Sequence, residues 1–361
     1  MLQHRRTTNI LLSVIASVLV IGVLKSKSAL FIPPVIAIFV VAMLQPILRW
    51  CSKYVPRAAT IPVLILFLAA FLFADTLLFF INIKAFMAKL PFYADKLQAL
   101  VTKLVAYASE QGIPIEQSDF QSKQLMAWIF NFAKAGISTT VELMGQVTLV
   151  SFLVIFLVLE IPNFSRKLDV GFGPKLSHEM KQTIFSISER IQHYALTKTV
   201  ISFLTGLVTY FITYFMGLDF PVFWGILAFA LNFIPTLGPI IAVIPPIMVA
   251  ALQFDSPNPA IYVTIMLGIT HTLSGYVVEP RVMGEELNLS TFVVFLAMIF
   301  WGWVWGIVGL VLAVPLTVGL KIVFEHIESL RPISILLGAR PYAIIENTQS
   351  LELPEVEDEQ D

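Results

Sequence analysis

Long apolar runs dominate this sequence and constrain its fold more than any other feature. A helix needs about 20 apolar residues to cross a bilayer. Runs near that length occupy positions 8–24, 29–47, 61–83, 140–161, 199–216, 260–278, 291–303 and 306–324. Only 13% of the residues are charged, whereas soluble domains carry about 25%. The sequence therefore predicts an all-α, polytopic membrane protein with about eight transmembrane helices, embedded among membrane lipids.

The charges and motifs exclude several classes of protein. The formal net charge is −1, which argues against a nucleic-acid partner. No Walker-type phosphate loop, GxSxG, HExxH or Cys/His cluster occurs. We therefore expect a protein that is not an enzyme and that carries no cofactor and no metal site.

The distribution of Lys and Arg predicts the orientation of the chain. The segment after the second apolar run contains Arg49, Lys53 and Arg57, and the segment after the fourth contains six basic residues between 166 and 198. The turns 217–219 and 253–259 contain no Lys or Arg. Because positive residues favour the cytoplasmic side, the first two segments are predicted to be cytoplasmic and the two turns external. Both termini are then cytoplasmic.

This orientation makes residues 220–252 a special case, because they must enter the membrane and return to the same side. Each arm has about 14 residues, or about 21 Å of helix, which is less than the ~30 Å hydrocarbon core. The middle reads LNFIPTLGPIIAVIPP from Leu231, with four prolines, an asparagine and a glycine. The segment predicts a re-entrant hairpin with a broken helix at its tip.

Broken helices inside a membrane are where secondary transporters bind their solutes. The alternative is a structural proline kink held by neighbouring helices. Under the transport hypothesis, the cargo-binding candidates at the break are Asn232, Pro235, Thr236, Gly238 and Pro239.

Ionisable residues inside apolar runs are further candidates for functional residues. Placing an ionisable side chain in a membrane is energetically unfavourable, so such residues are functional hypotheses by default. Asp75 lies in the third run and is a candidate for coupling-ion binding or for a structural pair. His271 lies in GITHTLSGY and is a candidate for substrate binding or for a structural hydrogen bond. Glu279 and Arg281 lie where the sixth full span meets the cytoplasm, as a gate or as an interfacial ion pair.

The remaining organisation follows from these assignments. Residues 1–83 form the first three transmembrane helices, and 84–139 an extracytoplasmic amphipathic insertion. Residues 140–340 form the transport core, with a cytoplasmic helix at 162–198, and 341–361 an acidic, disordered cytoplasmic tail.

In the insertion, apolar residues recur at steps of four and three from Phe86 to Tyr107, and Pro91 predicts a helix start nearby. The partner of this apolar stripe is a second helix of the insertion, another subunit or a captured substrate. The segment GPIIAVIPP, which starts at Gly238, weakly resembles GLVLAVPL, which starts at Gly309, and this similarity suggests a repeated element.

Several motifs resemble the autoinducer-2 exporter family of PerM-like permeases. They are ISFLTGLV, FWGILAFALNFIPTLGPIIAVIPP, EPRVMGEELNLSTFVVFLAMIFWGW and VPLTVGLKI. The match is nearer to the signal-exporting members than to the general permeases. The family's Asn-x-Ile-Pro and Gly-Pro fall on residues 232–235 and 238–239, and its Glu-Pro-x-x-Met-Gly on 279–284.

The resemblance implies a homo-oligomeric transporter of the bacterial inner membrane that works without ATP. Its cargo is either a small-molecule signal, autoinducer-2, exported with an ion gradient, or a cation in Na⁺/H⁺ antiport. A membrane scaffold without transport is the third alternative.

Overall fold

The computed structural model describes residues 2–51, 53, 57–111, 122–283 and 288–339. These residues form helices joined by short turns and include no strand, so the all-α prediction is confirmed. The acidic tail at 341–361 lies outside the described residues. The helices are α1 Leu2–Ser26, α2 Ser28–Cys51, α3 Arg57–Glu110, α4 Ser122–Phe215, α5 Pro221–Leu231, α6 Leu237–Gln253, α7 Asn258–Thr272, a π-helix Leu273–Val278, α8 Glu279–Met283, α9 Thr291–His326 and α10 Arg331–Leu337.

Four helical stretches in the described part of the chain are long and apolar enough to cross a membrane. They are Ser28–Pro46, Asn163–Phe215, Asn258–Val278 and Thr291–His326. Shorter apolar helices accompany them, including α5 and α6. Many of their large apolar side chains are exposed on the protein surface, as expected where lipid is the solvent. The chain is thus a multi-pass membrane protein, and the number of eight spans stays a prediction.

The chain divides into two compact units. One takes its described residues from Met1–Ile32, Glu160–Tyr194 and Met283–Asp361, and the other from Pro33–Leu159 and Ala195–Val282. In the second unit, α2 packs on α4 through Ala37, Val41, Leu44 and Val154. A second core in this unit joins the end of α4 to α6 and α7, through Ile212, Leu218, Ala250, Val263 and Leu267.

Helix α3 does not start near Pro91, which corrects one prediction. It runs unbroken from Arg57 to Glu110, with Pro91 inside it. Its apolar stripe packs on the α5–α6 pair, where buried Tyr93 joins a core with Phe223, Trp224, Val249 and Leu252. This contact explains why the helix continues through a residue that lacks an N–H donor, because tertiary packing outweighs local propensity. The first part of the stripe, from Phe86 to Leu97, therefore packs on the same chain's hairpin, a partner the sequence did not suggest, whereas Leu100 and Tyr107 are exposed.

Both ends of the α5–α6 pair are held by this part of α3. Lys89 pairs with Asp219, just before α5, and Lys96 pairs with Asp255, just after α6. Seven residues of helix measure about 10 Å, so the two ends of the pair lie close together. With 11 and 17 residues, the arms measure about 16 and 26 Å, both below the ~30 Å hydrocarbon core. This is the hairpin geometry that the sequence predicts, and its depth in a bilayer stays a prediction.

In the first unit, α9 also folds back on itself. Trp305 and Gly306 depart from helical geometry, and Gly306 has φ 60°. The indole of Trp301 donates to Thr317 Oγ1 at 3.3 Å, whereas a straight helix would separate these residues by about 24 Å. The glycine- and tryptophan-rich segment is therefore a turn between two antiparallel arms. A core of Tyr194, Val314, Val318 and Ile322 buries the second arm.

Candidate functional site

The helix break at the hairpin tip consists of the five residues between α5 and α6. Asn232 N–H still donates to Ala228 O, and Ile234 N–H to Leu231 O, so the backbone closes by turns. Thr236, the last residue of the break, has φ 57° and ψ −50°. A positive φ is strained for a β-branched residue and persists only where the surroundings impose it. The break is therefore a specified backbone conformation.

Gly238 begins α6 in direct contact with the end of α5. A Cβ at this position would lie 1.8 Å from Leu231 O, so only glycine fits. Gly309 in α9 has the same environment, because a Cβ there would lie 1.9 Å from Trp301 O. These two glycines begin the similar segments GPIIAVIPP and GLVLAVPL. Each lets a helix fold back tightly on the helix before it.

A cavity of about 290 Å³ lies beside the break, within the second unit. One wall comes from the break and α6, and the other from α7, the π-helix and α8. The lining residues are Pro235, Thr236, Pro239, Ile240, Val243, Ile244, Gly268, His271, Thr272, Gly275, Tyr276 and Glu279. The lining is mostly apolar, with a few hydroxyl, imidazole and carboxylate groups, as is typical of small-molecule sites.

A row of buried polar side chains on α4 supports the second wall. Lys198, Ser202, Thr205, Thr209 and Thr213 follow one another at steps of four or three residues and are all buried. This spacing puts them on one face of the helix.

Four members of this row contact polar groups on other elements. Thr205 Oγ1 lies 2.6 Å from Ser274 Oγ, and Thr209 Oγ1 lies 3.5 Å from His271 Nε2. Asn232 Nδ2 donates to Ser202 Oγ at 3.0 Å, and Lys198 Nζ donates to Glu279 Oε1 at 2.5 Å. The row therefore holds both His271 and Glu279 at the cavity.

Most of the predicted site residues lie in or under the cavity wall. Pro235, Thr236, Pro239, His271 and Glu279 line it. His271 Nδ1 is buried and has no hydrogen-bond partner among the described residues. An unpaired buried polar group is unfavourable, so a change that exposes this nitrogen to the cavity would let it bond a solute.

Other predicted residues lie elsewhere. Asn232 is fully buried behind the wall, where its Oδ1 has no partner among the described residues, and it does not belong to the cavity lining. Arg281 is exposed on α8, and the described partner of Glu279 is Lys198. Asp75 lies in α3, and its side chain is outside the described residues.

Neither Lys198 nor the hydroxyl row is among the predicted site residues. In the sequence, Lys198 is one of the basic residues that predict the orientation. The helical spacing of Ser202, Thr205, Thr209 and Thr213 within an apolar run is a signal that could have identified a buried polar face. Their partners on α7 and the π-helix could not be read from spacing alone.

The chain is similar in sequence to several proteins named as transport proteins. The chain is 31% identical over 329 residues to the AI-2 transport protein TqsA of Escherichia coli, covering 89% of this chain and 93% of that protein. It is 27% identical over 339 residues to a putative transport protein of Borreliella burgdorferi, covering 93% and 92%. It is 24% identical over 315 residues to the putative transport protein YrrI of Bacillus subtilis, covering 84% and 88%. A family model described as AI-2E family transporter matches residues 10–329. The chain therefore belongs to the AI-2E transporter family.

Proposed function

We propose that this protein exports a small polar signal molecule of the autoinducer-2 type, using an ion gradient as the driving force. The observation that carries the proposal is the cavity beside the broken hairpin. Its volume of about 290 Å³ is at the lower end of the range for ligand pockets, which suits a small solute.

The lining fits a nearly neutral, hydroxyl-rich solute of the furanone type. Thr236, Thr272 and Tyr276 carry hydroxyl groups in the wall, and His271 adds an imidazole ring. Glu279 forms an ion pair with Lys198, and the two charges cancel. The described lining residues therefore offer no uncompensated charge that would favour a charged cargo. The similarity to a protein named as an AI-2 transport protein supports the same cargo class.

Release assays test this proposal in cells that lack the protein. Such cells should retain autoinducer-2, and the wild-type gene should restore its release. Thr272→Val, which removes a hydroxyl from the lining, should restore release less well. The matched control is Thr264→Val on the same helix, because the Thr264 hydroxyl donates only to its own helix and lies outside the lining. Equal release by both variants would remove Thr272 from the path, and normal release without the protein would exclude autoinducer-2 as the cargo.

A second candidate function is Na⁺/H⁺ antiport, which one observation favours. Glu279 is the one carboxylate among the lining residues, and it is placed next to a buried ammonium group. Everted vesicles distinguish the two functions. Sodium-dependent collapse of a pH gradient without autoinducer-2 would favour the antiporter.

The cellular setting is part of the same proposal. We place the chain in the bacterial inner membrane with both termini cytoplasmic, on the distribution of Lys and Arg. The family resemblance supports a homo-oligomer. Protease accessibility of tagged termini and crosslinking in native membranes test these two points.

A further inference from the structure

The pairing of Lys198 with Glu279 has features that a structural ion pair does not require. The two residues are 81 positions apart in the sequence, and Lys198 Nζ lies 2.5 Å from Glu279 Oε1. The Lys198 side chain is 1% exposed and that of Glu279 is 17% exposed. The Lys198 ammonium is therefore buried between the helices, whereas the Glu279 carboxylate belongs to a residue that lines the cavity.

Few other charged or titratable groups face this pair. From α7 the cavity wall contributes His271, and from the π-helix it contributes Tyr276. The break and α6 contribute no titratable side chain to the lining. Arg281 follows on α8 and is exposed. Among the described residues, Glu279 is therefore the one carboxylate in the cavity lining, and it is the carboxylate that pairs with Lys198.

This arrangement makes proton binding and conformation interdependent. When the Glu279 carboxylate takes a proton from the cavity, it becomes a neutral carboxylic acid while Lys198 keeps its own proton. The pair then changes from a net charge of zero to +1. A buried ammonium without a counter-charge is strongly unfavourable. Protonation of Glu279 therefore favours a conformation in which Lys198 is no longer buried. A bound proton shifts the equilibrium between the two conformations in this way, because it binds one of them better than the other.

The backbone next to Glu279 provides a place for such a change. The π-helix Leu273–Val278 ends directly before Glu279 and includes Ser274, the partner of Thr205. A π-helical turn holds more residues than an α-helical turn, and such turns concentrate at functional sites. Resetting the helix by one residue would turn Glu279 by about 100° relative to α7.

We propose that the Lys198–Glu279 pair is the proton site of this transporter, with Glu279 as the proton acceptor and Lys198 as the internal cation that holds the empty site closed. This proposal rests on the ion-driven export proposed above and names the ion and its residues.

Proteoliposomes that contain the purified full-length protein and an enclosed pH-sensitive dye test the proposal. Autoinducer-2 added to wild-type vesicles should move protons across the membrane. Glu279→Gln should abolish this solute-driven proton movement. The matched control is Glu325→Gln, because Glu325 also pairs with a buried lysine, Lys321, but lies outside the cavity lining. Proton movement should persist in that control.

Two further measurements keep the test decisive. If Glu279→Gln does not fold because it leaves Lys198 unpaired, the double variant Lys198→Met/Glu279→Gln removes both charges, a change that buried pairs often tolerate. It should fold and still move no protons with the solute. Without any solute, acidification of the wild type should produce the infrared band of a protonated carboxylic acid. Because the chain has 24 Asp and Glu residues, other carboxyl groups contribute to this band in every variant. One component of the band should be missing from Glu279→Gln and should persist in Glu325→Gln.

The outcomes separate the two proposals. Solute-driven proton movement that survives Glu279→Gln or the double variant overturns the proton site. So does wild-type transport of autoinducer-2 without protons, although export itself would stand. If the wild type transports no autoinducer-2, the proposed cargo is wrong, and the infrared band alone decides the proton site. The absence of a band that depends on Glu279 would then overturn it.

Discussion

The hydroxyl of Tyr93 donates a hydrogen bond to Asp219, with 2.6 Å between Oη and Oδ2. Tyr93 is buried in α3, and Asp219 immediately precedes the hairpin. Burial, and secondarily the bond to Asp219, raises the pKa of Tyr93 above its ordinary value, so it stays a neutral donor. The Asp219 carboxylate also accepts a hydrogen bond from the Lys89 ammonium, and the Asp219 backbone carbonyl accepts one from the Trp224 indole N–H. One residue thus joins α3 to the start of the hairpin.

Replacement of Asp219 should destabilise the protein more than replacement of Asp255. Asp219→Ala leaves the buried Tyr93 hydroxyl unsatisfied, which costs about 1–3 kcal/mol. The side chain of Asp255 is 94% exposed, and exposed pairs contribute little. Thermal unfolding in detergent measures both variants. An equal decrease in Tm would mean that the two ion pairs contribute alike and that the Tyr93 hydrogen bond adds nothing.

Acid should weaken the ion pair between Lys96 and Asp255. The hydrogen bond and positive charge of Lys96 hold the pKa of Asp255 below its usual range. A carboxyl group with a lowered pKa contributes stability above its unfolded pKa near ~4 and loses it as the pH falls through the folded pKa. Because the pair is exposed and contributes little, Asp255→Asn should make the acid limb of a Tm–pH curve only slightly shallower, and high salt should act in the same direction. A limb that the substitution leaves unchanged would show that other carboxylates control it.

Gly238→Ala should disrupt the hairpin tip. The added methyl group would overlap the Leu231 carbonyl at 1.8 Å, so the backbone must move. We expect a loss of at least about 2 kcal/mol, together with loss of transport. Gly22→Ala in α1 is the control, since a Cβ there meets nothing within 4 Å. Unchanged folding and export in Gly238→Ala would contradict the close approach of the two arms.

Thr205→Val should be more destabilising than Thr213→Val. The Thr205 hydroxyl bonds Ser274 on the π-helix, whereas Thr213 bonds only carbonyls of its own helix. Hydrogen bonds between helices in membrane proteins contribute about 0.6 kcal/mol on average and up to about 1.7 kcal/mol. Reversible unfolding in mixed micelles measures the difference between the variants. If both lose the same stability, the contact between α4 and the π-helix is energetically unimportant.

Much of the fold could be predicted because the bilayer leaves few options for an apolar chain. The apolar runs predicted the helices, and the prolines around Gly238 marked the break, because proline removes backbone donors. The structure gives the break where the sequence places it, between Leu231 and Leu237. The count of arm residues predicted a hairpin too short to cross the hydrocarbon core.

The features that could not be predicted from the sequence depend on tertiary contacts between residues that are distant in the chain. Local rules predict a helix start at Pro91, but the packing of Tyr93 on the hairpin keeps α3 continuous. Glu279 was paired with its neighbour Arg281 in the gate hypothesis, whereas the structure pairs it with Lys198. Asn232 was proposed to contact cargo because it is polar and near the break. In the structure it bonds Ser202 behind the wall, so any role in transport acts through the shape of the break.

The central claim is that the break at the hairpin tip forms a wall of the solute path, and cysteine accessibility tests it most directly. The sequence contains a single cysteine, Cys51, so Cys51→Ser gives a background for single-cysteine variants. Thr236→Cys lies in the cavity lining, and Thr264→Cys is exposed on α7 outside it. In native membranes, a water-soluble thiol reagent should label Thr236→Cys, and autoinducer-2 should slow that labelling. Thr264→Cys lies on the exposed surface of a spanning helix, which faces lipid, so it should react little with or without autoinducer-2. Failure of Thr236→Cys to react, or labelling that the solute does not change, would contradict the account.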